Sequence, residues 1–249
     1  LTALVLFALP PLVISHFKYP GATLAMAGVV ALLGLSALWV PRGPRVAPLV
    51  ADGRARAGLP GAAWAALAVF LLFLVGNIGL WAFLERMGAA LKIAPTEMGI
   101  VFAVLKLLGS VAAFSMAAAG ERLGPRRAAW LVLAAVGVGL TLLGGASGFA
   151  GFALGAWIWE FAFTCGCVLQ TAAIARSDPS GRAVVLVPAA FALGSMIGPG
   201  LAGQLVAGGS FGGLLLLALA STLAPVVAGL LRQRRAVACA DATRVAAAD

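Results

Sequence analysis

The chain has 249 residues, of which 63% are hydrophobic and 10% charged, and its mean hydropathy is +1.09. One water-exposed core cannot bury so much apolar surface, which excludes a soluble globular protein. The formal net charge of +9 has three possible explanations: binding to nucleic acid, binding to anionic lipid, or basic loops that set the membrane topology. The positions of the charges decide among them.

The charged residues are separated by long neutral runs. Uncharged runs of 23, 28, 32 and 49 residues follow Lys18, Arg56, Arg127 and Arg182. A run of about 20 apolar residues is enough for one spanning helix, so the two longer runs must contain a turn. Glycine clusters at 144–148 and 207–213 favour those turns.

These runs predict an all-α polytopic membrane protein with seven full spans and a shorter opening piece. The full spans are predicted at 22–40, 59–86, 96–119, 127–145, 149–175, 184–207 and 211–231. The opening piece, 1–15, would rise only about 22 Å, less than the roughly 30 Å hydrocarbon core. We interpret it as a truncated helix, and the chain as a fragment of a longer protein. A signal peptide is the alternative, although no basic segment precedes the run.

The basic residues indicate which side each loop occupies. Numbering the sides alternately gives one side 13 of the basic residues: Arg42, Arg45, Arg54, Arg56, Arg122, Arg126, Arg127, Arg176, Arg182, Arg232, Arg234, Arg235 and Arg244. The other side receives Lys18, Arg86 and Lys92, and Lys106 falls within a span. The rule that cytoplasmic loops are positive places the first side, and the carboxy terminus, in the cytoplasm. The positive charge is then a topology signal, and nucleic acid is not an expected partner.

The segments outside the spans carry little chemistry. Residues 41–58 are rich in proline, glycine and arginine, as expected of a cytoplasmic linker, and the tail at 232–249 is predicted to be disordered. His16 has no acidic or cysteine partner nearby, and Cys165 and Cys167 point to different faces of a helix. We therefore expect no metal site, no cofactor and no catalytic residue, and do not expect an enzyme.

Two motifs give the chain a family resemblance. The loop at 120–127, GERLGPRR, is similar to the acidic-Arg-x-Gly-Arg-Arg loop of the major facilitator superfamily, with Glu121 in place of the usual Asp and Pro125 inserted. Its matching residues are Glu121, Arg122, Gly124, Arg126 and Arg127. The segment 194–203, GSMIGPGLAG, resembles the superfamily's Gly-Pro helix that packs at the interface between halves. Its packing residues are Gly194, Gly198, Pro199 and Gly203.

The resemblance implies a division of the chain. Residues 1–40 would hold the end of helix five and all of helix six of the amino-terminal half, and 59–231 would form the carboxy-terminal half of six helices. On this resemblance, the first four helices and most of the fifth would belong to a part of the protein outside this sequence. The missing amino-terminal half would be a partner, and half of a central cavity would belong to it.

Two ionisable residues lie at membrane depth, where a charge is costly and marks a functional candidate. Lys106 and Glu160 are each roughly 15 Å into spans entered from the same side. We expect them to face a common interior and to pair in at least one state. The alternatives are a structural lysine and a protonated, hydrogen-bonded carboxyl group.

Polar and aromatic residues recur at helical spacing around these two positions. Trp157, Glu160 and Thr164 share a stripe that continues to Cys167 and Thr171. A second stripe contains Asn77, Trp81 and Glu85 in a helix that corresponds to helix seven of the superfamily. Both stripes are candidates for a substrate or proton pathway. Interhelical hydrogen bonding is the alternative for Asn77, and an exposed or gating pair with Arg86 the alternative for Glu85.

These features together predict a secondary transporter that moves a small-molecule substrate across the lipid bilayer by alternating access, with possible proton coupling. A non-transporting remnant or membrane scaffold is the alternative, and an intramembrane enzyme a further one. The abundance of alanine, glycine and arginine favours a bacterial source, so the predicted location is the cytoplasmic (inner) membrane.

Overall fold

A computed structural model describes residues 58–246 and, before them, the single positions 24, 27, 28, 31, 32, 34 and 35, which are helical. Side chains are described at the same positions except 120, 121 and 230–246. The opening piece at 1–15, most of the span at 22–40 and the linker at 41–57 lie outside the described residues.

All regular structure in the described part of the chain is helical. The elements are α1 (Gly61–Ala90), α2 (Pro95–Leu123), α3 (Pro125–Gly144), α4 (Phe149–Ser177), α5 (Arg182–Val185), α6 (Val187–Val206) and α7 (Gly212–Ala246). Six membrane-length apolar helices result, since α5 and α6 together make one span. The protein is therefore a multi-pass helical membrane protein, and the six predicted spans after residue 58 are confirmed.

The ends of the helices differ from the prediction. The loop expected at 120–127 is reduced to Gly124, because α2 runs to Leu123 and α3 starts at Pro125. Gly124 has φ 67°, a left-handed conformation that glycine adopts without a steric penalty. Pro125 then begins α3, at a position where its missing N–H costs nothing.

The carboxy-terminal segment also differs. Its helix α7 continues to Ala246, so the prediction of a disordered tail from residue 232 is wrong as far as Ala246. The physical reason is composition, because the alanines of this segment favour a helix even where few apolar residues are available for packing.

Helices α1 and α4 form the inside of the bundle. Within its most apolar stretch, α1 is 61% buried and α4 50% buried, whereas the other four spans are 17–33% buried. α1 packs most closely against α6 and α7, and α4 packs most closely against α3 and α2. Apolar side chains on the outer helices, such as Phe114 and Met196, are more than 70% exposed, as expected of surfaces that contact lipid.

Two glycines, Gly198 and Gly139, let the outer helices α6 and α3 approach the inner helices α1 and α4 closely. A Cβ atom at Gly198 of α6 would lie 2.6 Å from the carbonyl oxygen of Val75 in α1. A Cβ atom at Gly139 of α3 would lie 2.9 Å from the carbonyl oxygen of Gly155 in α4. Only glycine leaves room for backbones at this separation, which is the usual role of small residues between membrane helices.

Candidate functional site

Lys106 of α2 and Glu160 of α4 form an ion pair in the middle of the bundle. Lys106 Nζ lies 3.2 Å from Oε1 of Glu160 and donates a hydrogen bond to it. Each residue is eleven positions from the start of its helix, about 16 Å along the axis at 1.5 Å per residue. The predicted pairing of these two residues is confirmed.

The burial of the pair is uneven. The Glu160 side chain is 5% exposed and the Lys106 side chain 23% exposed. Oε2 of Glu160 is buried and accepts no hydrogen bond from the residues whose side chains are described. The lysine therefore has access to the space beside α2, while the carboxylate lies deeper and keeps one oxygen available for a proton or a further donor.

Two tryptophans border the ion pair. Lys106 Nζ lies 4.8 Å from the centroid of the Trp81 ring, a cation–π distance, and this ring also contacts Phe102 with centroids 5.9 Å apart. On α4, Trp157 Nε1 donates a 3.1 Å hydrogen bond to the backbone carbonyl of Val101 in α2. Trp157 therefore ties α2 to α4 at the level of the charges, and Trp81 of α1 contacts side chains of α2 at the same level.

Gly109 allows α2 to approach α4 at this level. A Cβ atom there would lie 3.4 Å from both Oε1 of Glu160 and Oγ1 of Thr164. The predicted stripe of Trp157, Glu160 and Thr164 thus faces α2, and the structure brings all three together with Lys106. We call Lys106, Glu160, Trp81, Trp157 and Thr164 the mid-membrane site.

Asn77 belongs to a different cluster, which is structural. It is fully buried, and its Oδ1 accepts a 2.9 Å hydrogen bond from Nε1 of Trp159. Its Nδ2 lies within 3.3 Å of three acceptors, the carbonyl of Phe73 and the hydroxyls of Ser221 and Thr222. Asn77 therefore joins α1, α4 and α7, and the structure favours the interhelical alternative over a place on the pathway.

Glu85 is also separate from the mid-membrane site. Both Glu85 and Arg86 are exposed near the end of α1, and no ion pair is recorded between them in the described residues. Arg86 instead lies over the Phe83 ring, 5.0 Å from its centroid. Adjacent positions on a helix point about 100° apart, which disfavours the Glu85–Arg86 pair that was the alternative to a pathway role.

The glycine motif at 194–203 packs within the bundle. A Cβ atom at Gly194 would lie 2.9 Å from Cβ of Leu74, and Gly198 meets the backbone of α1. Gly203 faces the ring of Phe83, and Pro199 lies inside α6. The predicted close packing is confirmed for Gly194 and Gly198, whose partner in the described residues is α1.

The arginine-rich ends of the helices are exposed. Gly124 is flanked by Arg122, Arg126 and Arg127. On the same side of the bundle, Arg176 lies in the last turn of α4 and Arg182 begins α5. Arg182 Nη2 donates to the carbonyl of Gly58, just before α1. We call this the basic end of the bundle. The side chain of Glu121 is not among those described.

Asp178 organises the turn between α4 and α5 at the basic end. Its Oδ1 accepts hydrogen bonds from the hydroxyl and N–H of Ser180, and its Oδ2 accepts one from the N–H of Ala183 at 3.0 Å. The hydrogen bond from the Ser180 side chain, followed by those from backbone N–H groups and the charge of Arg182, lowers the pKa of Asp178.

Besides Asp178, the sequence analysis missed four buried residues that carry polar groups: Trp159, Gln170, Ser221 and Thr222. The available signal was a polar side chain within an uncharged run, which also singled out Asn77. No group of three or more His, Cys, Asp or Glu in the described part of the chain is arranged to hold a metal ion.

The chain matches no family model, no curated protein and no solved structure. The class of the protein therefore rests on its own geometry, that of a multi-pass helical membrane protein with an ion pair between two of its spans.

Proposed function

We propose that the chain is the carboxy-terminal part of a secondary transporter that moves a small solute by alternating access, with the mid-membrane site as its coupling site. The observation that carries this proposal is the Lys106–Glu160 pair at mid-depth between two spanning helices. A purely structural contact at this depth is achieved at lower cost by apolar packing, because charged groups are expensive to remove from water.

The proposed coupling step is a proton exchange at Glu160. A proton from water binds the carboxylate, which becomes a neutral carboxylic acid and no longer attracts the ammonium of Lys106. Loss of the proton restores the carboxylate and the ion pair. In this proposal the pair has two arrangements, one ionic and one with a neutral Glu160. The contacts of Lys106 with Trp81 and of Trp157 with Val101 would transmit the loss of the ion pair to the position of α2 beside α1 and α4.

The resemblance to the major facilitator superfamily is part of this proposal. Six spans after residue 58 are the number that a carboxy-terminal half requires. The basic end carries the motif at 120–127. The excess of arginine there favours a cytoplasmic location for that end and for the carboxy terminus. In this proposal the protein lies in a bacterial cytoplasmic membrane and the central cavity is completed by an amino-terminal half.

A transport assay on the full-length protein in proteoliposomes tests the proposal. A panel of small solutes is applied with an entrapped pH indicator, and solute uptake and internal pH are followed together. We expect solute-driven proton movement that Glu160→Gln abolishes. Glu97→Gln is the matched control, because Glu97 caps α2 through the N–H of Ala94 and glutamine keeps that hydrogen bond.

The same assay separates transport from the scaffold alternative. A scaffold or remnant gives no solute uptake for any member of the panel, whereas a transporter without proton coupling gives uptake that is equal in Glu160→Gln and in the unsubstituted protein. The first result contradicts the transport proposal, and the second contradicts only the role of the carboxylate.

A further inference from the structure

A cavity lies at the basic end of the bundle, away from the mid-membrane site. It has a volume of about 230 Å³ and is enclosed by α1, α3, α4 and α7. Most of its wall is apolar, with Phe73, Val132 and Val226 among the lining residues. Neither Lys106 nor Glu160 lines it, so the proposed transport function does not account for it.

Two arginines mark the mouth of this cavity. Arg126, at the second position of α3, and Arg176, near the last position of α4, both line it and are exposed. Neither forms an ion pair with a residue whose side chain is described. Guanidinium groups bind phosphate through bidentate hydrogen bonds, so two arginines without an ionic partner favour an anionic group at this opening.

A buried amide lies below the arginines. Gln170 is 8% exposed and lines the cavity, and its Nε2 donates no hydrogen bond within the described part of the chain. It is six positions before Arg176 on α4, about 9 Å deeper along the axis. A buried donor without a partner destabilises the folded protein, so an acceptor bound inside the cavity would be stabilised by this amide.

The order of these groups specifies the occupant. From the membrane surface inward, the cavity offers cations, then the unpaired amide of Gln170, then mainly apolar walls that extend to Gly166, about 15 Å below Arg176. A glycerophospholipid presents a phosphate, ester carbonyls and acyl chains in the same order. We propose that this cavity binds the phosphate and ester region of one anionic phospholipid from the leaflet at the basic end, with the phosphate on Arg126 and Arg176, an ester carbonyl on Gln170 and the first part of an acyl chain along the apolar wall.

Lipid retention by the purified full-length protein tests this inference. Native mass spectrometry would compare phosphatidylglycerol with phosphatidylcholine at equal concentration, with inorganic phosphate and a free fatty acid as competitors. We expect one phosphatidylglycerol to bind in preference to phosphatidylcholine. Arg126→Gln and Arg176→Gln should each weaken its binding about fivefold, as expected for one cation near a lipid surface.

Arg127→Gln is the matched control, because Arg127 is the exposed neighbour of Arg126 and does not line the cavity. Gln170→Leu adds a readout that a structural role would not produce. It should raise the unfolding temperature of lipid-free protein, since it removes an unpaired donor, and should weaken phosphatidylglycerol binding.

Three results would overturn the inference. Equal binding of the two phospholipids, or equal weakening by Arg127→Gln and Arg176→Gln, would indicate general attraction of lipid to a basic surface. Full displacement of lipid by inorganic phosphate or by the fatty acid alone would assign the cavity to a soluble anion or to a single-chain carboxylate.

Discussion

Lys106 Nζ and Oε1 of Glu160 are 3.2 Å apart although 54 positions separate the two residues in the chain. They meet because α2 and α4 enter the bundle from the same end and place each residue eleven positions from its helix start. Each charge lowers the cost of burying the other. The pair therefore connects the packing of the bundle to the proposed function.

Removing one member of the Lys106–Glu160 pair should lower the free energy of unfolding, and removing both should restore part of the loss. Lys106→Met leaves the buried carboxylate without its cation, and we expect a loss of about 2 kcal/mol at neutral pH, less than for a fully buried pair because Lys106 is partly exposed. Thermal unfolding in detergent should show a lower midpoint for Lys106→Met and a partial recovery in Lys106→Met/Glu160→Gln. A double variant whose loss equals the sum of the single losses would indicate that the two groups do not interact.

The hydrogen bond between Trp159 and Asn77 predicts a difference between two tryptophans of α4. Trp159→Phe leaves Oδ1 of Asn77 buried without its donor, and a loss of about 1 kcal/mol is expected. Trp157→Phe removes a donor from the carbonyl of Val101, which keeps its place in the helical hydrogen-bond ladder, so a smaller loss is expected. Unfolding midpoints that fall equally in both variants would argue against a distinct role for the Asn77 cluster.

The crossing of α1 and α6 predicts opposite effects at two glycines of the same helix. Gly198→Ala places a methyl group 2.6 Å from the carbonyl oxygen of Val75, so a loss of about 1–3 kcal/mol is expected. Gly200→Ala adds a methyl group with nothing within 4 Å and should gain up to about 1 kcal/mol from helix propensity. The unfolding midpoints of the two variants check this, and a stable Gly198→Ala protein would contradict the close crossing.

Asp178 predicts a pH-dependent contribution to stability. Its hydrogen bonds hold its pKa below the ordinary value of 3.8, so they stabilise the folded state above that pH, and the benefit is lost as the pH falls through the lower folded-state pKa. The unfolding midpoint of Asp178→Ala should therefore lie below that of the unsubstituted protein at neutral pH and approach it on acidification. A gap between the two proteins that widens in acid would contradict this assignment.

The sequence was sufficient to predict the six spans after residue 58 but not their ends. Long uncharged runs mark the part of a helix that crosses the hydrocarbon core, and they do not show where the helix stops in water. This is why the break at Gly124 was predicted as an eight-residue loop and why the helical extension of α7 to Ala246 was missed.

The mid-membrane site could be predicted in part for a similar reason. The constant rise of a helix gives the depth of Lys106 and Glu160 from residue numbers alone. Which helices are neighbours does not follow from residue numbers, so the partners of Asn77 on α4 and α7 were not foreseen. The same holds for Gly198, because its residue number does not show that α1 is the helix on which it packs.

Proton exchange at Glu160 within the membrane is tested most directly by pH-difference infrared spectroscopy of the purified full-length protein. As the pH falls, a carbonyl-stretch band of a protonated carboxyl group should appear that Glu160→Gln lacks and Glu97→Gln retains. Difference spectra that are identical for Glu160→Gln and the unsubstituted protein, over the whole pH range in which both stay folded, would contradict the account.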